Sequence, residues 1–329
     1  MTGYAIRADG LVKSFGSTSA LRGVNLWVLP GSVCALLGRN GAGKTTIVRI
    51  LTTLIQPDEG RAEVAGFDVT RDPERVRARI GVAGQSPTMD ELLTGRQNLD
   101  LIGRMYHHGP ARSRRRAVDL LDEFGLTDAA DRQVKTYSGG MRRRLDLAAS
   151  LVSDPPVLFL DEPTTGLDPV SRVGMWQAIR DLVAGGTTVL LTTQHLEEAD
   201  QLADVIVVIS GGVVAAAGAP AQLTSTAGQA RLRVTLAAAV PAQLWEIQAA
   251  LGPGARIEGR AVTAPAPGGL ASLTAGVGRL QSTGAAIHQA GLEFPTLEEV
   301  FTSLTIGADP IGQPGGHDGG SRRLETSAS

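Results

Sequence analysis

Three short stretches of this 329-residue chain carry residue types suited to handling phosphate. The first is "GRNGAGKTT", Gly38 to Thr46, which satisfies G-x-x-x-x-G-K-[ST] between an apolar strand-like run and a segment of helical spacing. Gly41 and Gly43 let backbone N–H groups curl around phosphate oxygens, and a helix start adds a positive dipole end. Gly38, Arg39, Asn40, Ala42 and Thr46 complete the loop. Lys44 is expected to reach the β- and γ-phosphates, with the Thr45 hydroxyl on Mg²⁺. The second stretch is "PVLFLDEP", in which four apolar residues lead into Asp161 and Glu162. A buried strand ending in a carboxylate suits metal support by Asp161, and Glu162 could polarise an attacking water, help worth roughly 10²–10⁴-fold in rate. The third is "YSGGMRRR", Tyr137 to Arg144, where small residues precede an apolar-periodic helix and make a seat for an anion. The arginines 142–144 are expected on a solvated helix face.

The first two stretches specify a P-loop NTPase. None of the asparagines Asn25, Asn40 and Asn98 precedes a lysine, so the guanine-reading Asn-Lys-x-Asp of a GTPase is absent. A small-molecule kinase would leave the second anion seat unexplained.

The elements that must position these residues can be read from the pattern of the chain. Residues 4–37 contain alternating segments that predict strands, with Pro30-Gly31 as a turn. The run from Lys44 to Leu54 predicts a helix. Strand signals return in "IGVAGQ", "PVLFLDE", "TTVLLTTQ" and "DVIVVIS", the last joined through Ser-Gly-Gly to "VVAAAG" as a hairpin. Strands alternating with helices argue an α/β fold with a parallel sheet, and a helical block at about 87–152 interrupts it. After residue 224 the composition shifts to Ala, Gly and Pro. The pattern there predicts strand 231–236, helix 242–251, a hairpin near 255–264, helix 270–283, strand 286–292 and helix 296–304, a small α+β appendage over 224–305. The Gly-, Pro- and Ser-rich residues 306–329 are expected to be disordered.

Composition narrows the class further. Hydrophobic residues make up 43% of the chain and aromatics only 4%, so the core must be aliphatic. A formal net charge of −2 supplies no field to recruit nucleic acid. The single cysteine, Cys34, excludes an internal disulfide and is expected to be a buried small residue. The N-terminus carries no apolar signal-like region, and no apolar run approaches the ~18–20 residues that span a bilayer.

The order Gly38–Thr46, Gln85, Ser138-Gly139-Gly140, Asp161-Glu162, Gly166-Leu167-Asp168 resembles the ATP-binding-cassette (ABC) ATPases over residues 4–223. The resemblance implies an ABC-type nucleotide-binding domain at 1–223 that binds ATP and Mg²⁺ and forms a homodimer. In such a dimer Ser138, Gly139 and Gly140 of one protomer face the γ-phosphate held by the P-loop of the other. It further implies that Phe15 stacks on adenine, Gln85 touches Mg²⁺ or the water, and Asp168 crosses the dimer interface. The family commonly has a histidine after Thr-Thr; here "TTQHLEEAD" puts Gln194 in that place, and Gln194 is expected to be the γ-phosphate switch, with His195 peripheral. Tyr137 and Met141 stand where the usual signature has Leu and Gln. The phrases "TTGLDP", "TTQHLEEADQLAD" and "FPTLEEVFTSLT" resemble daunorubicin-resistance-type subunits of bacterial drug exporters. That implies export of a drug-like compound through a separate integral-membrane permease, on the cytoplasmic face of the membrane, with no nucleic-acid partner. The rival class, a soluble cassette acting on nucleic acid or the ribosome, is disfavoured by one cassette, one cysteine and no basic stripe.

Overall fold

A computed structural model describes residues 3–84, 89–226, 230–238 and 244–306. Gln85 and the expected tail from 307 to 329 therefore lie outside the described residues, while Ile306 ends the last helix.

The chain begins with β1 (Ile6–Phe15) and β2 (Thr18–Val28), joined by a tight turn, and passes Pro30-Gly31 into β3 (Val33–Leu37). After α1 (Lys44–Leu51) come β4 (Glu59–Val64), β5 (Phe67–Asp68), α2 (Pro73–Arg77) and β6 (Ile80–Ala83). The helical block contains α3 (Gly95–Met105), α4 (Pro110–Glu123) and α5 (Gly139–Ser150). The pattern then alternates: β7 (Val157–Asp161), α6 (Pro169–Ala184), β8 (Thr188–Thr193), α7 (Leu196–Leu202), β9 (Val205–Ser210) and β10 (Val213–Gly218). The remaining elements are α8 (Pro220–Thr226), β11 (Arg231–Leu236), α9 (Leu244–Leu251), β12 (Arg256–Glu258), β13 (Ala261–Pro265), α10 (Leu270–Ser282), β14 (Ile287–Glu293) and α11 (Leu297–Ile306).

These strands form three sheets, ordered β2-β1-β4-β5, β10-β9-β3-β8-β7-β6 and β12-β13-β11-β14. The second sheet is parallel except for β10, which returns on β9. Gly211 and Gly212 turn that hairpin with φ of 53° and 79°, the two positive values that a tight primed turn requires. Every residue of β3 and β8 is buried, as expected for strands covered on both faces.

Alternation along β3 divides the core. Ala35 and Leu37 enter a cluster with Leu99, Leu120, Leu145 and Leu191, on the side of the helical block. Cys34 and Leu36 enter another with Ile6, Leu21, Ile47 and Ile50, beneath the antiparallel sheet. A third cluster holds Leu232, Val234, Ile247, Val262 and Leu280. Leu297 and Val300 of α11 bury in the first of these, not the third, so the chain returns from the C-terminal sheet to pack beside α7, α8 and β9.

Candidate functional site

The parallel sheet gathers candidate residues at the carboxyl ends of its strands, where ligands bind in open α/β folds. Gly38 follows β3, Asp161 ends β7, Gln194 follows β8 and Gly84 follows β6. The Gly38–Thr46 loop is held tightly from beneath. Gly43 has a φ of 113°, and a Cβ there would lie 2.8 Å from the Ala20 carbonyl and from the Leu21 side chain. Gly212 of the β9–β10 turn donates its N–H to the Ala42 carbonyl at 3.1 Å, so the hairpin braces the loop. Gly41, with φ 80°, has no atom within 4 Å of where a Cβ would stand, leaving its outer side open to a ligand. Arg39 and Asn40 are exposed at the tip, and Ala42 is buried. Because α1 starts at Lys44, the N–H groups of Lys44, Thr45 and Thr46 belong to its first turn, which lacks intrahelical acceptors.

Lys44 itself is only 6% exposed. Its ammonium donates to the Gly38 carbonyl at 2.6 Å and the Arg39 carbonyl at 3.1 Å, curled over its own loop. Burial lowers its pKa, and the Glu162 and Asp161 carboxylates oppose that shift. The lysine thus feels both strand-end acids.

Asp161 accepts a short hydrogen bond from the Thr192 hydroxyl of the neighbouring strand. Glu162, 8% exposed, leaves the sheet with a φ of 50°, a left-handed conformation uncommon outside glycine. Its N–H donates to the Thr192 carbonyl at 3.1 Å and hydroxyl at 3.2 Å. Its carboxylate accepts from the Thr165 hydroxyl at 3.1 Å.

The solvated face expected for Arg142, Arg143 and Arg144 holds for Arg142, whose side chain stays partly exposed, but not for Arg143 and Arg144. Arg143 turns inward and donates to the carbonyls of Gly84, Asp161, Glu162 and Pro163 at 2.6, 3.0, 2.7 and 2.8 Å. Arg142 meets Glu91 at 3.2 Å, and Arg144 donates to the Phe124 carbonyl at 3.2 Å. Successive helical residues point about 100° apart, so three adjacent arginines serve three different surfaces. A polar run on a helix gives no sign of which member meets a cluster of carbonyls; that depends on the strand ends opposite.

Ser138 stands at the N-cap of α5, its hydroxyl accepting from the Met141 N–H at 3.2 Å. Gly139 and Gly140 are the helix's first residues. Gly139 has nothing within 4 Å of a Cβ position, whereas at Gly140 a Cβ would lie 2.6 Å from the Ser171 hydroxyl. Ser171 donates to Asp168 at 2.6 Å, and Asp168 caps α6 by accepting from the Val170 and Ser171 N–H groups. Ser138–Gly140 and Asp168 therefore share one surface. Tyr137 and Met141 turn inward: the Tyr137 hydroxyl donates to the Ala129 carbonyl at 2.6 Å, and Met141 packs against the first core.

Phe15 is 48% exposed at the end of β1 and belongs to no core cluster. Gln194 and His195 are both exposed after β8, and the His195 N–H donates to the Thr193 hydroxyl at 2.9 Å as the chain enters α7. Thr192, which holds both strand-end acids, was not singled out from sequence; its signal is a threonine on the strand next to the Asp-Glu pair.

Comparison with known proteins places this geometry. Residues 21–165 match the family described as ABC transporter. The daunorubicin resistance ATP-binding protein DrrA2 of Streptomyces coeruleorubidus is 52% identical over 311 residues, covering 93% of this chain and 96% of its own length. A Nod factor export ATP-binding protein I of Paraburkholderia xenovorans is 43% identical, covering 68% of this chain and 73% of its own length. Among solved structures, the dimeric ATP-binding cassette MJ0796 in a post-hydrolysis state bound to ADP and Pi superposes with a TM-score of 0.59 at 25% identity. That match covers 65% of this chain and 98% of the other. The chain belongs to the ABC transporter family as one of its ATP-hydrolysing, exporter-type ATP-binding subunits.

Proposed function

We propose that this subunit powers efflux of a drug- or antibiotic-like compound through a separate integral-membrane permease, and that it works as a homodimer with two composite ATP sites. In this reading Gly38–Thr46 wrap the phosphates, Lys44 leaves its own loop carbonyls for the β- and γ-phosphates, and Phe15 stacks on adenine. Glu162 draws a proton from the attacking water, and Gln194 donates to the γ-phosphate. The residues suit magnesium, which keeps several waters and takes few protein ligands. Thr45 offers an exposed hydroxyl beside the loop, and Asp161 is oriented by Thr192. Bound there with ATP, the ion would neutralise charge on the phosphates.

The observation that carries the dimer is the N-terminus of α5. Its first amides, next to the capping Ser138, open onto a surface where a Cβ on Gly139 would meet no atom within 4 Å. A helix start with a bare backbone favours an anion. Ser138, Gly139 and Gly140 supply it for the partner's γ-phosphate, with Asp168 beside them at the interface. Closure then depends on contacts that exist only while γ-phosphate is present, as a ligand-driven population shift requires. Export is supported by the daunorubicin-resistance and Nod-factor relatives. Exposed Leu92, Leu101, Met105 and Tyr106 on and beside α3 suit docking to a permease. The nucleotide-binding domain spans 1–223 and the accessory region 224–305, with α11 linking the second back to the first.

The test is the full chain with Glu162→Gln. It is expected to bind ATP, dimerise in light scattering, and hydrolyse roughly 10²–10⁴-fold more slowly. A wild-type rate overturns the role of Glu162. Failure to dimerise with ATP, both alone and with a co-expressed membrane permease, overturns the composite site.

A further inference from the structure

We propose that Arg143 is a positioning residue for ATP hydrolysis: its guanidinium holds the left-handed backbone at Glu162 and so sets where the Glu162 carboxylate points. This rests on the reading of Glu162 as the base. Two observations on different segments carry it. Glu162 has a φ of 50°, a conformation that costs a non-glycine residue energy and persists only when its surroundings over-determine it. Around that residue the carbonyls of Asp161, Glu162 and Pro163 converge on one side chain at 2.7–3.0 Å, with Nε on Pro163 and Nη2 on the other two. The left-handed turn at Glu162 brings these three successive carbonyls to face a single cation.

The remaining nitrogen, Nη1, donates to Gly84 at 2.6 Å, at the end of the neighbouring strand β6. Arg143 thus fastens two strand ends to α5 through a planar fork, which a point-charge ammonium could not reproduce. It lies little more than one helical turn beyond Ser138, on the helix whose first amides form the anion seat. A shift of α5 when that seat is filled is carried directly to the Glu162 backbone. The guanidinium is half-buried; burial lowers its pKa, and the carboxylates of Asp146, Asp161, Glu198 and Glu162 oppose the shift. An arginine guanidinium stays charged at neutral pH in proteins, so the fork keeps its charge.

The test compares Arg143→Met, Arg143→Lys, Glu162→Gln and the double variant Arg143→Met/Glu162→Gln in the full chain. ATP affinity is read with a fluorescent ATP analogue, and turnover in single-turnover assays. Misplacing a catalytic group by about 1 Å can cost 10²-fold, so Arg143→Met is expected to lower kcat about 10–100-fold with KM nearly unchanged. Arg143→Lys, which keeps charge without the fork, falls between. In the Glu162→Gln background Arg143→Met is expected to cost little more, because the carboxylate it aims is gone. A purely structural role would lower both backgrounds alike, and that result overturns the proposal, as does a normal kcat for Arg143→Met. If the methionine variant does not fold, the lysine variant carries the same cycle. A wild-type rate for Glu162→Gln alone overturns the base assignment instead, so the two failures are separable.

Discussion

Gly139 and Gly140 are neighbours with different reasons to be glycine, and alanine separates them. At Gly140 the new methyl would stand 2.6 Å from the Ser171 hydroxyl and 3.1 Å from its Cβ. Ser171 must swing away, and its hydrogen bond to Asp168 goes with it. Such overpacking costs typically 1–3 kcal/mol, against a helix-propensity gain of at most about 1 kcal/mol. At Gly139 the methyl meets nothing within 4 Å, so only the gain remains. Gly139→Ala is therefore expected to unfold at the same or slightly higher urea than wild type, and Gly140→Ala at lower urea. Activity runs differently. In the proposed composite site, a methyl on Gly139 would occupy the space through which the partner's phosphate reaches the first amides of α5. Losing one preorganised donor to a developing charge costs about 10²–10³-fold in kcat. Gly139→Ala should thus be a stable protein that hydrolyses ATP poorly at every protein concentration. The assay pairs urea unfolding followed by tryptophan fluorescence with ATP turnover. Wild-type turnover by Gly139→Ala refutes the seat, and equal urea midpoints for the two variants refute the packing argument.

Three further outcomes are expected. Gln194→Ala should lose most ATP turnover while His195→Ala keeps it, since His195 enters α7 through its backbone N–H; the reverse result in a turnover assay reverses the assignment. The Ser171 hydroxyl and backbone N–H groups lower the Asp168 pKa. Its folded value lies below its unfolded one, so the α6 cap stabilises fully above the ordinary 3.8 and is lost as pH falls through the lowered value. Urea midpoints across that window should fall less in Asp168→Asn than in wild type. Burial pushes the Cys34 thiol up to about 12, so a thiol reagent should label it in urea and not in native protein at neutral pH.

Much of this architecture was legible because the parallel strands are uninterrupted aliphatic runs and the loops between them carry glycine or acidic punctuation. "SVCALL", "PVLFLDE" and "TTVLLTTQ" read as strands, and they became β3, β7 and β8. In the C-terminal region strand 231–236 was read to the residue, and helix 270–283 ends one residue earlier in α10. The strands β4 and β5 were missed. "EGRAEV" alternates exposed charged residues with Ala62 and Val64, and it becomes a strand through pairing with β1. Local pattern also gave no hint that α11 would pack beside α7 and α8, because an apolar helix face does not say which core it completes.

The candidate site divides along the same physical line. Candidates marked by backbone geometry or an intrinsic charge were visible: the glycines of Gly38–Thr46, Lys44, the Asp161-Glu162 pair and Ser138. Arg143 and Thr192 were not, since each matters for what the folded chain brings against it. Thr192 sits opposite Asp161 in the β7–β8 register, supplying a hydroxyl and a carbonyl to consecutive acids. Arg143 approaches the same acids from the helical side through their carbonyls. Glu162 is therefore gripped at its N–H by β8 and at its carbonyl by α5, and its side chain is left to Thr165 at 3.1 Å and to the cleft. An acid held this way cannot relax into ordinary strand geometry without releasing one grip. In the proposed mechanism its aim depends on two elements: β8, which leads to Gln194, and α5, which begins at the candidate anion seat. In the proposed reading, hydrolysis competence depends on both grips at once, and removing either the Thr192 hydroxyl or the Arg143 guanidinium is expected to lower turnover.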